Sequence, residues 1–273
     1  MPEMTNNETQ QKAFDHSTHQ EFVDYYAKQS LTDASVQRMR GIYDCVNRNL
    51  QQRGITQKLN VADIGCGVGV MSMMWAQDGH AVYGLDVNEA LVDIAKQRVQ
   101  HEKLNVEFSL GTATSLPWDD ASMDVCIAPE LLEHVEAWEL CLSEFGRILK
   151  PSGVLYISTA NKLCPKQQEF NLPFYSWYPS ALKRHFENLA RTTRPDIAGY
   201  AKYPAVNWFS YYQLRKEFSK MGMDSFDRFD IMDVDKKPAY QKLIINLIKH
   251  NPILRWLGHV ATPGLSMLAI KKA

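Results

Sequence analysis

The chain has 273 residues, of which 45% are hydrophobic and 22% charged, a composition typical of a globular protein with one sizeable core. The formal net charge of −1 gives no overall bias toward nucleic acid, and we expect no nucleic-acid partner. Five cysteines form neither a C-x-x-C pair nor a metal-ligand spacing, which predicts reduced thiols, a cytoplasmic protein and no bound metal.

The N-terminal segment is polar before it becomes helical. Residues 1–20 are rich in Asn, Gln and Thr, which predicts a flexible N-terminus followed by a single domain over 21–273. Apolar residues at helical spacing predict one helix from Glu21 and a second from Ser35 to Gln52.

A glycine-rich turn follows the first predicted strand. The apolar run 59–64 leads into alternating glycines and then a helical stretch, so the pattern predicts strand, tight turn and helix. Gly65 and Gly67 would let a ligand lie against bare backbone. Asp86 ends the next strand about 20 residues later, where doubly wound folds bind the two hydroxyls of a ribose.

The glycine spacing separates two candidate ligands. A dinucleotide fingerprint would need a third glycine at position 70, which is Val70. The chain instead has Asp63-x-Gly65-x-Gly67-x-Gly69, which resembles motif I of the class I S-adenosylmethionine-dependent methyltransferases. A turn that binds nothing is the alternative.

Strands and helices then alternate along the chain at regular spacing. Five further strands are predicted, at 105–110, 123–128, 154–159, 225–232 and 263–271. With the strand at 81–86, this alternation predicts an α/β protein with a parallel, doubly wound sheet whose ligands bind at the carboxyl ends of the strands.

Five motifs extend the resemblance over about a hundred residues. Segments 63–69, 84–86, 116–118, 132–135 and 149–153 are similar to the ubiquinone-pathway O-methyltransferases and the broad type 11 methyltransferase group. The resemblance implies a Rossmann-like sheet of seven strands, with N-terminal helices, an antiparallel last strand, an insertion after strand five and a helical insertion before the last strand.

The resemblance also implies S-adenosyl-L-methionine as cofactor and a set of residues that contact it. These are Arg40, Asp63, Gly65, Gly67, Asp86, Thr112, Ala113 and Pro129. Arg38 is the alternative to Arg40 for the methionine carboxylate. Thr112 stands where many relatives have an aspartate, and it can accept a hydrogen bond only through its hydroxyl.

Two segments depart from the common core. Residues 161–207 are rich in aromatic residues and are expected to form a lid over the acceptor, with Phe174, Tyr175, Trp177 and Tyr178 in contact with it. An apolar cap or a homodimer surface is the alternative. Residues 239–260 form a basic amphipathic segment, for which packing on the domain and peripheral membrane contact both stay open.

The expected chemistry is methyl transfer to a small molecule, most simply to a hydroxyl of a partly apolar acceptor such as a quinol, phenol, natural product or lipid-linked compound. A hydroxyl must lose its proton, and His134 and His185 are the candidate bases. Local packing at the helix start is the alternative for His134, and Glu130 and Glu133 are candidates for orienting ligand or loop. Methylation of nitrogen or carbon, and a non-catalytic binding or regulatory protein, remain alternative functions.

Overall fold

The computed structural model describes residues 20–166, 170–197, 205–235 and 237–273, so the predicted flexible N-terminus lies outside the described residues. Two helices precede the sheet, α1 (Gln20–Ser30) and α2 (Asp33–Gln52). Thr32 stops the first and caps the second, because its side chain accepts a hydrogen bond from the backbone N–H of Ser35.

Strands and helices then alternate as the sequence predicts. In chain order they are β1 (Asn60–Ile64), α3 (Val70–Gln77), β2 (Ala81–Asp86), α4 (Glu89–His101), β3 (Val106–Leu110), β4 (Met123–Pro129), α5 (Trp138–Ile148), β5 (Leu149–Ala160), α6 (Ser180–Thr192), α7 (Tyr211–Lys220), β6 (Met223–Asp227), α8 (Arg228–Ile231), α9 (Ala239–His250), α10 (Pro252–Val260) and β7 (Gly264–Lys271). Short 3₁₀ turns lie at Leu132–His134, Tyr175–Trp177 and Pro195–Ile197.

The strands form one seven-stranded sheet in the order β3-β2-β1-β4-β5-β7-β6. Every neighbouring pair is parallel except those that include β7, which runs antiparallel between β5 and β6. This arrangement confirms the predicted fold class, including the antiparallel last strand. The carboxyl ends of β1, β2, β3 and β4 therefore meet at one edge.

Helices cover both faces of the sheet, and this explains the unbroken apolar runs of the central strands. On one face α2 and α3 pack against the sheet, with Trp75 fully buried. On the other face α5 and α7 bury Phe145 and Phe218. Among the described residues, no helix combines the length and apolarity that crossing a bilayer requires.

The predicted sixth strand, 225–232, is wrong in its second half. The strand ends at Asp227 because this side chain accepts hydrogen bonds from the N–H groups of Phe229 and Asp230 and starts a helix. The boundary before strand five also differs, since β5 begins at Leu149 and passes through an irregularity before it pairs regularly from Val154.

The insertion at 161–207 has a small core of its own at the carboxyl end of β5. Phe170, Tyr175 and Trp208 are buried there with Ile197 and Ala205. The segment that returns from the insertion is bonded to the sheet edge, because the N–H groups of residues 206 and 207 both donate to the carbonyl of residue 133. The insertion is therefore fixed beside the end of β4.

Candidate functional site

The glycine turn between β1 and α3 has the backbone that its sequence predicts. Gly65, Gly67 and Gly69 all have positive φ, at 73°, 49° and 75°, a region that side chains with a Cβ rarely adopt. A Cβ at Gly67 would meet no described atom within 4 Å, so this part of the turn borders open space. Gly69 caps α3 without a side-chain hydrogen bond, which leaves the positive end of that helix directed at the turn.

Asp86 connects the turn to the next strand. One carboxylate oxygen accepts the N–H of Gly67 at 2.8 Å, and the other accepts the N–H of Asn88 at 2.9 Å. Its carbonyl accepts the N–H of Gly111 at 2.9 Å, so the loop after β3 is tied to the same residue. Burial raises the pKa of Asp86, although the backbone N–H groups oppose that change. Each carboxylate oxygen keeps a lone pair for a ligand hydroxyl.

Asp63 lies beneath the turn. It is 1% exposed, and its carboxylate accepts the hydroxyl of Ser72 from α3 at 2.5 Å. Desolvation raises the pKa of Asp63 to about 6, and the bond from Ser72 works in the opposite direction. Its observed contact therefore joins β1 to α3, and its assignment as a direct cofactor contact stays a prediction.

The loops after β3 and β4 complete the edge. Thr112 is exposed and its hydroxyl lies 2.9 Å from that of Thr114, while Ala113 is buried. Pro129 ends β4, and Leu131 beyond it packs over the turn at Gly65. The structure thus brings the predicted residues 65, 67, 86, 112, 113 and 129 to one edge.

Glu130 joins three elements at this edge. It has a positive φ of 52°, its N–H donates to the carbonyl of Ser158 at 2.8 Å, and its carboxylate accepts the hydroxyl of Ser158 at 2.6 Å. The other carboxylate oxygen lies 3.6 Å from the guanidinium of Arg38 on α2. Arg38 therefore faces the strand edge.

Arg40, the first choice for the methionine carboxylate, points elsewhere. Its guanidinium carbon lies 5.4 Å from the ring centroid of Tyr43, and the hydroxyl of Tyr43 bonds to Asp78 just beyond the C-terminus of α3. That is the end of α3 opposite the glycine turn. The structure therefore favours the alternative residue, Arg38.

His134 closes the 3₁₀ turn after β4. His134 is an exposed residue, and desolvation by the neighbouring protein lowers the pKa of its imidazole to about 4. The imidazole is consequently neutral near pH 7 and can accept a proton. Glu133 beside it is 2% exposed. Its backbone carbonyl accepts the N–H groups of residues 206 and 207, so Glu133 holds the segment that returns from the insertion.

The second candidate base is not tied to this edge. His185 is exposed on α6, and its ring contacts Phe186 of the same helix at 5.5 Å between centroids. Within the described residues, no contact joins it to a strand end.

The four predicted acceptor residues separate into two pairs. Tyr175 is fully buried, and its hydroxyl donates to Glu187 at 3.2 Å, so the contacts observed for it lie in the insertion's core, and its place in an acceptor wall stays a prediction. Tyr178 packs on it at 5.4 Å between ring centroids. Phe174 and Trp177 are instead more than half exposed and stack at 5.7 Å, presenting an aromatic surface.

Sequence reasoning missed two groups in this region. Ser158 orients Glu130, and only its position near the end of β5 could have indicated this. Lys183 donates to the carbonyl of Ser176 at 3.0 Å and lies 4.0 Å from the ring centroid of Trp208. Burial lowers the pKa of Lys183 to about 8. Its partners lie in the 3₁₀ turn before α6 and just after the insertion, so no local spacing signals them.

Comparison with known proteins shows which family model and which relatives the chain resembles. Residues 62–157 match the family model described as a methyltransferase domain. A ubiquinone biosynthesis O-methyltransferase of Coxiella burnetii is 32% identical over 113 residues, which are 41% of this chain and 48% of that protein. A protein of the same name from Bartonella tribocorum is 30% identical over 104 residues, 38% of this chain and 42% of that protein. The chain thus spans about half the length of the curated relatives it matches.

Two solved structures share the fold. Magnesium protoporphyrin IX methyltransferase from Synechocystis PCC 6803, solved with S-adenosylmethionine bound, aligns over all of both chains with a TM-score of 0.59 and 17% identity. The PH0226 protein of Pyrococcus horikoshii aligns over 91% of this chain and 99% of its own, with a TM-score of 0.55 and 17% identity. At these identities the likeness concerns the fold.

Residues 62–157 thus match a methyltransferase domain, and the seven-stranded sheet around them has the fold of the class I S-adenosylmethionine-dependent methyltransferases. The cofactor of this class is S-adenosylmethionine. Its chemical groups fit the residues at the strand edge: a carboxylate with spare lone pairs suits ribose hydroxyls, and open glycine backbone beside a helix start suits a close, polar approach.

Proposed function

We propose that the protein transfers a methyl group from S-adenosylmethionine to a hydroxyl oxygen of a partly apolar small molecule. The observation that supports the proposal is the hydrogen bond from the Gly67 N–H to Asp86, which joins an acid suited to ribose hydroxyls to the glycine turn at one strand edge. The name of the partial relatives, O-methyltransferase, supports oxygen as the acceptor atom.

When bound, the cofactor supplies a methyl group already activated on a positively charged sulfur. The chain's own task is then to align two reactants and to remove a proton. Asp86 would hold the ribose hydroxyls through its unused lone pairs, and Arg38 would meet the methionine carboxylate. Glu130 would orient Arg38 from the end of β4.

His134 is the group that would accept the acceptor's proton. Its neutral imidazole stands at the end of β4, next to the insertion's return segment. The exposed pair Phe174 and Trp177 supplies apolar surface on the insertion, which suits an acceptor with an aromatic or aliphatic part.

Calorimetric titration with S-adenosylhomocysteine tests the cofactor half of the proposal. We expect micromolar affinity for the wild type and at least a tenfold loss in Asp86→Ala, because the variant removes the ribose contacts and releases the glycine turn. Asp86→Asn keeps one acceptor oxygen, so its affinity for S-adenosylhomocysteine should lie between those of the wild type and Asp86→Ala. Binding of NADH without binding of S-adenosylhomocysteine would contradict the assignment.

The acceptor half needs a screen for S-adenosylhomocysteine release over phenols, quinols, sugars and lipid extracts. Mass spectrometry of the product then separates the alternatives, since fragments show whether oxygen, nitrogen or carbon carries the new methyl. Cofactor binding without turnover on any acceptor would favour the non-catalytic alternative. The cytoplasmic location also stays a prediction.

A further inference from the structure

Helices α9 and α10 present an uncovered apolar surface. Within these two helices only Ile245 and His259 are buried. The large apolar side chains that are 38% to 69% exposed are Tyr240, Leu243, Ile244, Leu247, Ile253, Leu254, Trp256 and Leu257. Those on α9 recur at helical spacing, so they form one stripe, and α10 packs directly against α9. We call these eight residues the hairpin surface.

The side of the hairpin that faces the domain is polar. Asp227, fully buried at the end of β6, accepts Arg255 Nε at 2.7 Å and lies 2.9 Å from His259 Nε2. The His259 ring stacks on Tyr211 at 5.0 Å between centroids. The side-chain amide of Asn161 donates to the carbonyl of His259 at 2.8 Å. The amphipathic pattern is thus inverted, with charged partners inside and apolar side chains outside.

This inversion indicates that the fold holds the apolar side chains of the hairpin surface outward and does not leave them exposed by chance. A helix stabilised only by the domain would turn its apolar stripe inward, since burying that area is the main source of helix stability in proteins. Here a network of charged hydrogen bonds holds the hairpin in place. Exposed apolar patches of this extent on a folded domain mark binding surfaces.

Charge identifies the kind of partner. From Lys236 to the C-terminus the sequence has seven lysines and arginines and no aspartate or glutamate, whereas the preceding residues have 23 basic and 31 acidic residues. Lys242 and Lys249 lie on the polar side of α9, away from the apolar stripe, and α9 has no acidic residue. Basic residues on the polar face of an amphipathic helix match the chemistry of an anionic lipid surface.

A second copy of the chain fits less well. In a two-fold dimer the same patch meets itself, so the lysines of one hairpin would approach those of the other. The hairpin sequence offers no acidic residue to pair with them. Like charges across an interface oppose association.

We propose that the α9–α10 hairpin docks on an anionic lipid bilayer, with its apolar side chains in the headgroup and upper acyl region. The hairpin follows the end of β6 and precedes the start of β7, at the same sheet edge as the carboxyl ends of β1, β2 and β4. Docking would therefore bring the candidate site close to the membrane. This inference concerns the partner of the surface and does not depend on the chemistry of the site.

Vesicle flotation of the full chain tests the docking. The protein should float with vesicles of equal parts phosphatidylcholine and phosphatidylglycerol, float several-fold less with phosphatidylcholine alone, and lose the difference in high salt because salt screens the lysines. The double variant Ile253→Ser/Trp256→Ser should reduce binding roughly tenfold or more. Lys242→Glu/Lys249→Glu should abolish the preference for the anionic vesicles.

Leu140→Ser is the matched control, since Leu140 is 56% exposed on α5 and lies outside the hairpin. It should float as the wild type does. Melting by circular dichroism checks that each variant is folded, a readout independent of both cofactor and acceptor. Absence of flotation by folded wild-type protein would overturn the proposal. So would a dimer in sedimentation velocity that the Ile253→Ser/Trp256→Ser variant dissolves, because the surface would then bind a second copy.

Discussion

His134 shows how position and environment together make a candidate base. The end of β4 places the residue at the ligand edge of the sheet, and the protein around its ring lowers its pKa to about 4. A histidine with an ordinary pKa would be partly protonated in mildly acidic solution, whereas this one stays neutral down to about pH 4. The ring is therefore unprotonated over the whole physiological range, and its low pKa makes it a weaker base than an ordinary imidazole.

His134→Ala should slow methyl transfer to a hydroxyl acceptor by about 10²- to 10⁴-fold near neutral pH, the usual contribution of a general base. The deficit should shrink as the pH rises through the pKa of the acceptor, because an ionised acceptor needs no base. Rates of S-adenosylhomocysteine formation from about pH 5 to 10 measure this. His185→Ala is the control and should keep the wild-type profile. A deficit in His134→Ala that does not change with pH would make the residue structural.

At the scale of elements, some aromatic side chains of the insertion form its core, and others lie exposed on its surface. Tyr175 is fully buried, with Phe170 and Trp208 around it. Trp177, two residues further on, is 55% exposed; it stacks on Phe174, and its indole N–H donates to the carbonyl of Leu163 at 3.2 Å. The two aromatics should therefore respond differently to the same substitution.

Trp177→Ala should impair use of an apolar acceptor while leaving the melting temperature and S-adenosylhomocysteine affinity close to wild type. Tyr175→Ala should instead destabilise the insertion by about 3–5 kcal/mol, the cost of a large aromatic removed from a core. Acceptor KM, melting temperature and cofactor titration measure the three effects. Full turnover in Trp177→Ala with every acceptor found would move the acceptor site elsewhere.

The junction of β6 and α10 should be sensitive to acid. Charged and hydrogen-bonding partners, foremost His259 and Arg255, hold the pKa of the buried Asp227 near 2 despite its desolvation. The stability that this low pKa contributes is present above the ordinary value of about 3.9 and is lost as the pH falls toward 2. Urea midpoints between pH 5 and 2.5 should fall steeply for the wild type.

Asp227→Asn is the comparison for that acid transition. The variant should be less stable at pH 7, by about 3–5 kcal/mol, because Arg255 loses its buried counter-charge. Its urea midpoint should change less with acid than that of the wild type, since the titrating group is gone. Equal slopes for the two proteins would show that other carboxylates dominate.

At the scale of the whole molecule, the sequence predicts the features that depend on residues close together in the chain. It does not predict the features that depend on packing between distant segments. Adjacent residues encode the glycine turn and Asp86, and the regular alternation of strands and helices implies the parallel sheet. Arg38 and Arg40 are two positions apart, so they point to different sides of α2, and only the packed helix shows which one faces the site. Tyr175 is buried by residues far along the chain, which no local pattern reveals.

Ligand binding should stabilise the whole fold, because the site joins β1, β2, β3 and β4 rather than one loop. At a concentration 100 times its dissociation constant, S-adenosylhomocysteine should add about 2.7 kcal/mol and raise the melting temperature by roughly 5–10 °C for a domain of this size. Asp86→Ala, with affinity at least tenfold weaker, should lose about half of that shift or more at the same concentration. Ile253→Ser/Trp256→Ser should keep all of it, since those side chains lie on the hairpin surface and outside the strand edge. An equal loss in both variants would mean that the cofactor site and the hairpin surface are not independent.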